Sequence, residues 1–267
     1  MPKRVMTVII GLPLVIFVVF LGGLPLVVAC TAIALVGLRE LYIAICKEHK
    51  AIHGVGYLFT VGYFAIVYLF GFGYLLLITL TIFIIAAQTF MVAFFKKLTL
   101  VECISTVYGF LYIPFLLAFI VLVREHEQGL LFVWLIFTAA FACDTFAYIV
   151  GCSIGRHKLK NSPSPSKSVE GLIGGALGAA LVGGLFGFFI SRFTDMAGVE
   201  FILQAIVISV IGALFCSVGD MAASAIKRNT GIKDFGNIFP GHGGVIDRID
   251  GILFVAPVVF IVMNWLV

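Results

Sequence analysis

The sequence predicts an all-α, polytopic membrane protein with about nine transmembrane helices and a cytoplasmic N-terminus. Three observations carry this. The 267-residue chain is 62% hydrophobic and only 11% charged, where a soluble domain carries about 25% charged residues. Charge-free runs long enough to span a bilayer as helix, roughly 20 residues, recur along its whole length. The basic residues are also sorted: with the N-terminus inside and nine crossings, all but Arg124 and Arg192 of the 17 Lys and Arg fall on the cytoplasmic side.

The elements follow in order. "MPKRVMTVIIGLPLVIFVVFLGG" has a basic start and a long apolar run without a small-residue cleavage site. It reads as a retained first helix over 5–22, not a signal peptide. The turn "LGGLP" leads to a span at 24–45, followed by 52–70. The turn "GFG" precedes 74–95, and further spans are expected at 104–123, 129–150, 171–190, 202–219 and 251–267. Residues 1–100 thus hold the first four spans. Residues 101–267 hold the other five and two charged cytoplasmic loops, 151–170 and 220–250.

The seventh span carries glycines four apart at Gly171/Gly175, Gly174/Gly178 and Gly183/Gly187, a pattern for close helix packing. Six cysteines form no CxxC pair and read as small buried hydrophobes, with Cys152 outside the apolar runs. No GxxxxGK[ST] loop is present, which excludes a P-loop nucleotide site.

The chemistry sits in the charged stretches. Asp220, Ser224, Lys227 and Arg228 are spaced to share one helix face, so the eighth span should continue past its apolar part with a polar stripe. Asp247 and Asp250 lie one helical turn apart at the start of the ninth span. Gly241, Gly243 and Gly244 before them allow a sharp turn or close backbone approach to a ligand, with His242 among them. Asp144 stands alone in an apolar helix, which makes it a functional candidate, and Tyr148 follows one turn later on its face. Four carboxylates (Asp144, Asp220, Asp247, Asp250) supply hard oxygen ligands suited to Mg²⁺ rather than zinc. In the 151–170 loop, Lys167 beside Ser164, Ser166 and Ser168 could hold a phosphate. Acids for one or two divalent ions, with at least four cations on one membrane face, are what phosphoryl-type transfer requires. A site where the chain enters the bilayer implies a substrate that is partly lipid.

The stretch "SAIKRNTGIKDFGNIFPGHGGVIDRID" resembles the signature of the phosphatidate cytidylyltransferases, or CDP-diacylglycerol synthases. The matching positions are Ser224, Lys227, Arg228, Lys233, Asp234, Pro240, His242, Gly243, Gly244, Asp247, Arg248 and Asp250. Gly219–Asp220 and an earlier block, with Asp144, Thr145, Tyr148, Gly151, "GRHKL" and "SPSKSVEG", are similar to the family as well. The chain departs from it at Cys152, Ser166 and Val169. The resemblance implies that CTP and phosphatidic acid give CDP-diacylglycerol and pyrophosphate, with Mg²⁺ and a second metal ion as candidate cofactors. It implies Asp220, Asp247, Asp250 and Asp144 as metal ligands, with Lys227 and Arg248 catalytic. Arg228 and Lys233 would hold phosphates, and Ser224 and His242 would orient them. Asp234, Gly243, Gly244, Lys167, Ser164 and Tyr148 would complete the substrate site. It further implies a homodimer in a bacterial inner membrane, surrounded by membrane lipids, with the site facing the cytoplasm and no role for nucleic acid. Two other readings stay open on the residues alone: a CTP-dependent enzyme acting on an isoprenoid or ether lipid, and an ion or solute transporter.

Overall fold

The computed structural model describes residues 2–46, 52–194, 198–238 and 243–266. Their regular structure is helical, and among them no strand forms, only one isolated bridge between Lys158 and Ser168. Ten α-helices follow in order: α1 (Pro2–Leu21), α2 (Gly23–Ile45), α3 (His53–Phe70), α4 (Tyr74–Ala93) and α5 (Leu100–Phe110). After a π-helical turn at Leu111–Phe115 come α6 (Leu116–Arg124), α7 (Gly129–Ser153), α8 (Val169–Phe193), α9 (Glu200–Thr230) and α10 (Ile246–Leu266). Among the described residues, seven segments are long and apolar enough to cross a membrane: α2, α3, α4, the continuous Leu100–Arg124, α7, α8 and α9. Helices α1 and α10 occupy the positions of the first and ninth expected spans. The chain is therefore an all-α integral membrane protein by helix length and composition. The π turn contains Pro114, whose missing N–H breaks the regular ladder.

The chain divides into two compact units. The first is 1–125 with 230–248, and the second is 126–229 with 249–267. This partition by packing differs from a division at residue 100.

In the first unit, α2 is the centre. Leu38, Leu41 and Tyr42 are fully buried. The Tyr42 hydroxyl donates to the Thr106 carbonyl at 3.2 Å. Gly56 and Gly109 flank it, and a Cβ at either would lie within 2.7 Å of the Tyr42 side chain. Helix α5 starts on a capping box between Thr99 and Glu102. Arg124, at the end of α6, donates from Nε to the Val19 carbonyl and from Nη2 to the Phe20 carbonyl, both at 3.0 Å. Glu125 accepts from the Gly23 amide at 3.1 Å. The α1–α2 turn, with Gly22 at φ 64°, is thus held to the end of α6. Alternating crossings require that the two lie at one end.

In the second unit, the expected glycine pattern is a packing device. A Cβ on Gly175 would meet the Cys143 carbonyl at 2.9 Å, and one on Gly178 would fall inside the Phe146 side chain on α7. Gly183 and Gly187 present the same close approach to Ser209 and Ile202 on α9. The opposite face of α8 carries Ile173, Leu177, Leu181 and Leu185, each about half exposed or more. A soluble protein does not leave such a stripe wet, whereas lipid accepts it.

Candidate functional site

The second unit gathers three of the four predicted carboxylates. Asp144 projects from α7 and is exposed, although helix residues Ala142 and Cys143 beside it are buried. Asp220 comes from α9, which runs to Thr230 and so carries the predicted stripe of Asp220, Ser224 and Lys227 as continuous helix. Asp250 comes from the first turns of α10. The charge of Asp220 acts on both Asp144 and Asp250, and that of Asp144 acts on Asp250. Lys227 acts on Asp250. Lys167 pairs with Asp220 at 2.5 Å and also acts on Asp144.

Glycine makes this clustering possible. A Cβ on Gly219 would come within 2.5 Å of the Asp250 carbonyl, and one on Gly251 within 2.6 Å of the Cys216 sulfur. Helices α9 and α10 cross at these two residues with backbone nearly touching, which sets Asp220 and Asp250 side by side. This is the physical content of "GD" and of the glycine after "DRID".

Lys167 is delivered by the loop between α7 and α8. Ser168 is buried and caps α8, accepting from the Gly171 amide at 3.2 Å. Gly151, Gly155 and Gly171 surround its hydroxyl so closely that a Cβ on any of them would lie within 3.3 Å. Glu170 holds the His157 ring at 2.5 Å and also accepts the His157 amide. Leu159 donates to the Lys167 carbonyl at 2.9 Å, and the Lys167 amide to the Ser164 carbonyl at 3.1 Å. The loop is therefore a fixed frame. Tyr148 is 74% exposed on the outside of α7, and Lys158 and Lys160 are exposed too.

The carboxylates fit a hard divalent ion, since Mg²⁺ takes one or two protein carboxylates along with substrate phosphates. The sulfurs of Cys143 and Cys216 lie within 4.8 Å of an Asp144 oxygen. Both are otherwise engaged as thiols between helices, Cys143 with the Ala213 carbonyl at 3.3 Å and with Ser217 at 3.5 Å. As expected from sequence, they pack; Cys152 is the exposed one of the six.

Arg228 lies exposed near the end of α9 in the second unit, and the first unit holds the predicted residues between 230 and 248. Asp247 sits in the first turn of α10, and its Oδ2 accepts the amides of Phe235 at 2.9 Å and Gly244 at 3.0 Å. Lys233, Asp234 and Arg248 are exposed. Gly243 has φ 82°, a left-handed conformation that glycine tolerates. Gly244 makes room for a protein side chain: a Cβ there would lie 2.5 Å from a carboxylate oxygen of Glu40. His242 lies outside the described residues. Glu40 is the residue that sequence reasoning missed. The signal was present, because "LVGLRELYIAI" places an acid inside an apolar span, as "ACDTFAY" does.

Helices of spanning length, with acidic and basic side chains near several helix ends, define a polytopic membrane protein. The sequence matches the model of the Cytidylyltransferase family over residues 2–266, and the chain belongs to that family. It is 36% identical to a phosphatidate cytidylyltransferase of Thermotoga maritima over 154 residues, 58% of this chain and 56% of the relative. It is 35% identical over 147 residues to that of Staphylococcus saprophyticus, covering 55% and 54%. It is 33% identical over 154 residues to that of Bacillus subtilis, covering 57% and 55%. In these alignments the chain spans little more than half the length of the curated relatives.

Proposed function

We propose that the chain catalyses transfer of a cytidylyl group from CTP to phosphatidic acid, giving CDP-diacylglycerol and pyrophosphate. The observation that carries this reading is the group of Asp144, Asp220 and Asp250 with Lys167 on Asp220. The family and the names of the relatives support it. A phosphatidate oxygen forms a bond to the α-phosphorus of CTP. The bond from that phosphorus to the β-phosphate oxygen breaks, and pyrophosphate leaves with the electron pair. A phosphate monoester has a second pKa of about 6, so the nucleophile needs no strong base.

Asp144, Asp220 and Asp250 would hold Mg²⁺, and the signature assigns Asp247 to the same task. The chemistry such an ion supplies is neutralisation of charge on phosphate oxygens. Lys167, paired with Asp220 at 2.5 Å, would also face the phosphates of the substrates. Lys227, Arg228, Lys233 and Arg248 are assigned to the triphosphate and the phosphatidate head, and Ser224 to an orienting hydrogen bond. The lipid tails stay in the bilayer against apolar helix faces, and the site faces the cytoplasm of a bacterial cell. The test is product formation from labelled CTP and phosphatidic acid by the detergent-purified protein. Asp220→Asn should lower kcat/KM by roughly a hundredfold or more with elution and melting unchanged. Wild-type turnover by Asp220→Asn, or cytidylyl transfer to an isoprenoid phosphate in preference to phosphatidate, would overturn the proposal.

A further inference from the structure

Glu40 lies on α2 in the interior of the first unit, 3% exposed. Its Oε1 accepts the Val245 amide at 3.0 Å and its Oε2 the Ile246 amide at 3.1 Å. These are the amides at the start of α10. The first four amides of any helix lack a partner within it, and a negative charge there is favoured by the helix dipole. A cap is ordinarily supplied by the residue just before the helix. Here it comes from a carboxylate 205 residues earlier in the chain.

The carboxylate also shapes the approach to α10. A Cβ on Gly236 would lie 2.3 Å from Glu40 Oε1, and one on Gly244 2.5 Å from Oε2. Both legs of the 235–246 segment therefore pass Glu40 at backbone distance. The same two legs are tied together by Asp247, whose Oδ2 takes Phe235 from one and Gly244 from the other. Ile246 is fully buried and packs over Gly37 on α2. Glu40 and Asp247 thus hold neighbouring amides of the same backbone. Shifting the first moves the amides that orient the second.

We propose that Glu40 is a positioning residue for the reaction. It fixes the legs at 235–236 and 243–246 so that Asp247 is presented in one orientation. This rests on the reading of Asp247 as a cation ligand. It asks of Glu40 two acceptor oxygens at set positions, which neither a shorter acid nor an amide supplies.

The experiment uses the full chain in detergent with Glu40→Gln, Glu40→Asp and, separately, Gly236→Ala. Each is assayed for kcat, for KM of CTP, and for the Mg²⁺ concentration giving half activation. Amide exchange is followed in peptides covering 235–247. The expected result for folded variants is faster exchange confined to that segment, kcat lowered at least tenfold, and half-activating Mg²⁺ raised at least threefold. Exchange in 235–247 that rises while kcat and Mg²⁺ dependence stay at wild-type values would make Glu40 purely structural and overturn the proposal. If no variant folds, exchange on the wild-type protein decides. Slow exchange at Val245 and Ile246 is expected, and exchange there at the rate of exposed loop amides overturns the geometry. Asp247→Asn, measured alongside, reports on the cation-ligand reading alone. Wild-type Mg²⁺ dependence in that variant would remove that reading, whatever Glu40 does to the backbone.

Discussion

Gly219→Ala isolates the crossing that gathers the carboxylates. The added Cβ would stand 2.5 Å from the Asp250 carbonyl oxygen and 2.9 Å from the Phe254 ring, where ordinary contact begins at 3.4 Å. The ring can turn, but the carbonyl belongs to a helix backbone. Helices α9 and α10 must therefore part by roughly 0.9 Å at this point, and a misplacement of about 1 Å can cost a hundredfold in rate. In an isolated helix the same change is favourable by about 1 kcal/mol. Any loss of stability therefore reports the crossing, and overpacking of this kind costs about 1–3 kcal/mol. The assay is kcat for CDP-diacylglycerol formation together with thermal melting in detergent. The expected outcome is a fall in kcat of about a hundredfold with a lowered Tm. Gly62→Ala is the control, since a Cβ there meets nothing within 4 Å, and it should leave kcat unchanged with Tm equal or slightly raised. Wild-type kcat and Tm in Gly219→Ala would refute the argument that backbone contact at Gly219 sets Asp220 beside Asp250.

Lys167→Met removes the cation that sits 2.5 Å from Asp220. It should lower kcat/KM for CTP by about tenfold or more while reducing the Mg²⁺ needed for half activation, because no side chain competes for Asp220; titrating Mg²⁺ in the variant checks both. Arg124→Ala strips two carbonyls, those of Val19 and Phe20, of a charged donor. At about 1.5–3 kcal/mol for a hydrogen bond to a charged group, it should lower Tm clearly. Activity per folded molecule should be unaffected.

Much of the architecture was legible because lipid imposes a simple code. Apolar runs gave the helices to within a few residues, except where polar sequence continues a helix beyond the apolar part. α9 runs eleven residues past the apolar span's expected end at 219, to Thr230, and its polar stripe was legible from the helical spacing of Asp220, Ser224, Lys227 and Arg228. The glycine pairs on α8 were readable as packing because small residues four apart have few other uses in a membrane helix. Asp144 and Asp220 were readable as candidates because acids are scarce in such a chain. Pairings between distant segments were not readable. Nothing in "SPSKSVEG" says that its lysine meets Asp220. Nothing near residue 40 points to residue 245, since a carboxylate that caps a remote helix has no local spacing to betray it.

The long reach of Glu40 has a consequence for biogenesis. Ribosomes add about 5–20 residues per second, so a further 205 residues after Glu40 take about 10–40 s to appear. During that interval the early helices enter the bilayer with an acid whose two partners have not been synthesised. The N-terminal half of the protein is thus born incomplete, and a chain that stops before residue 245 keeps that defect for its whole lifetime as an internal mark of truncation.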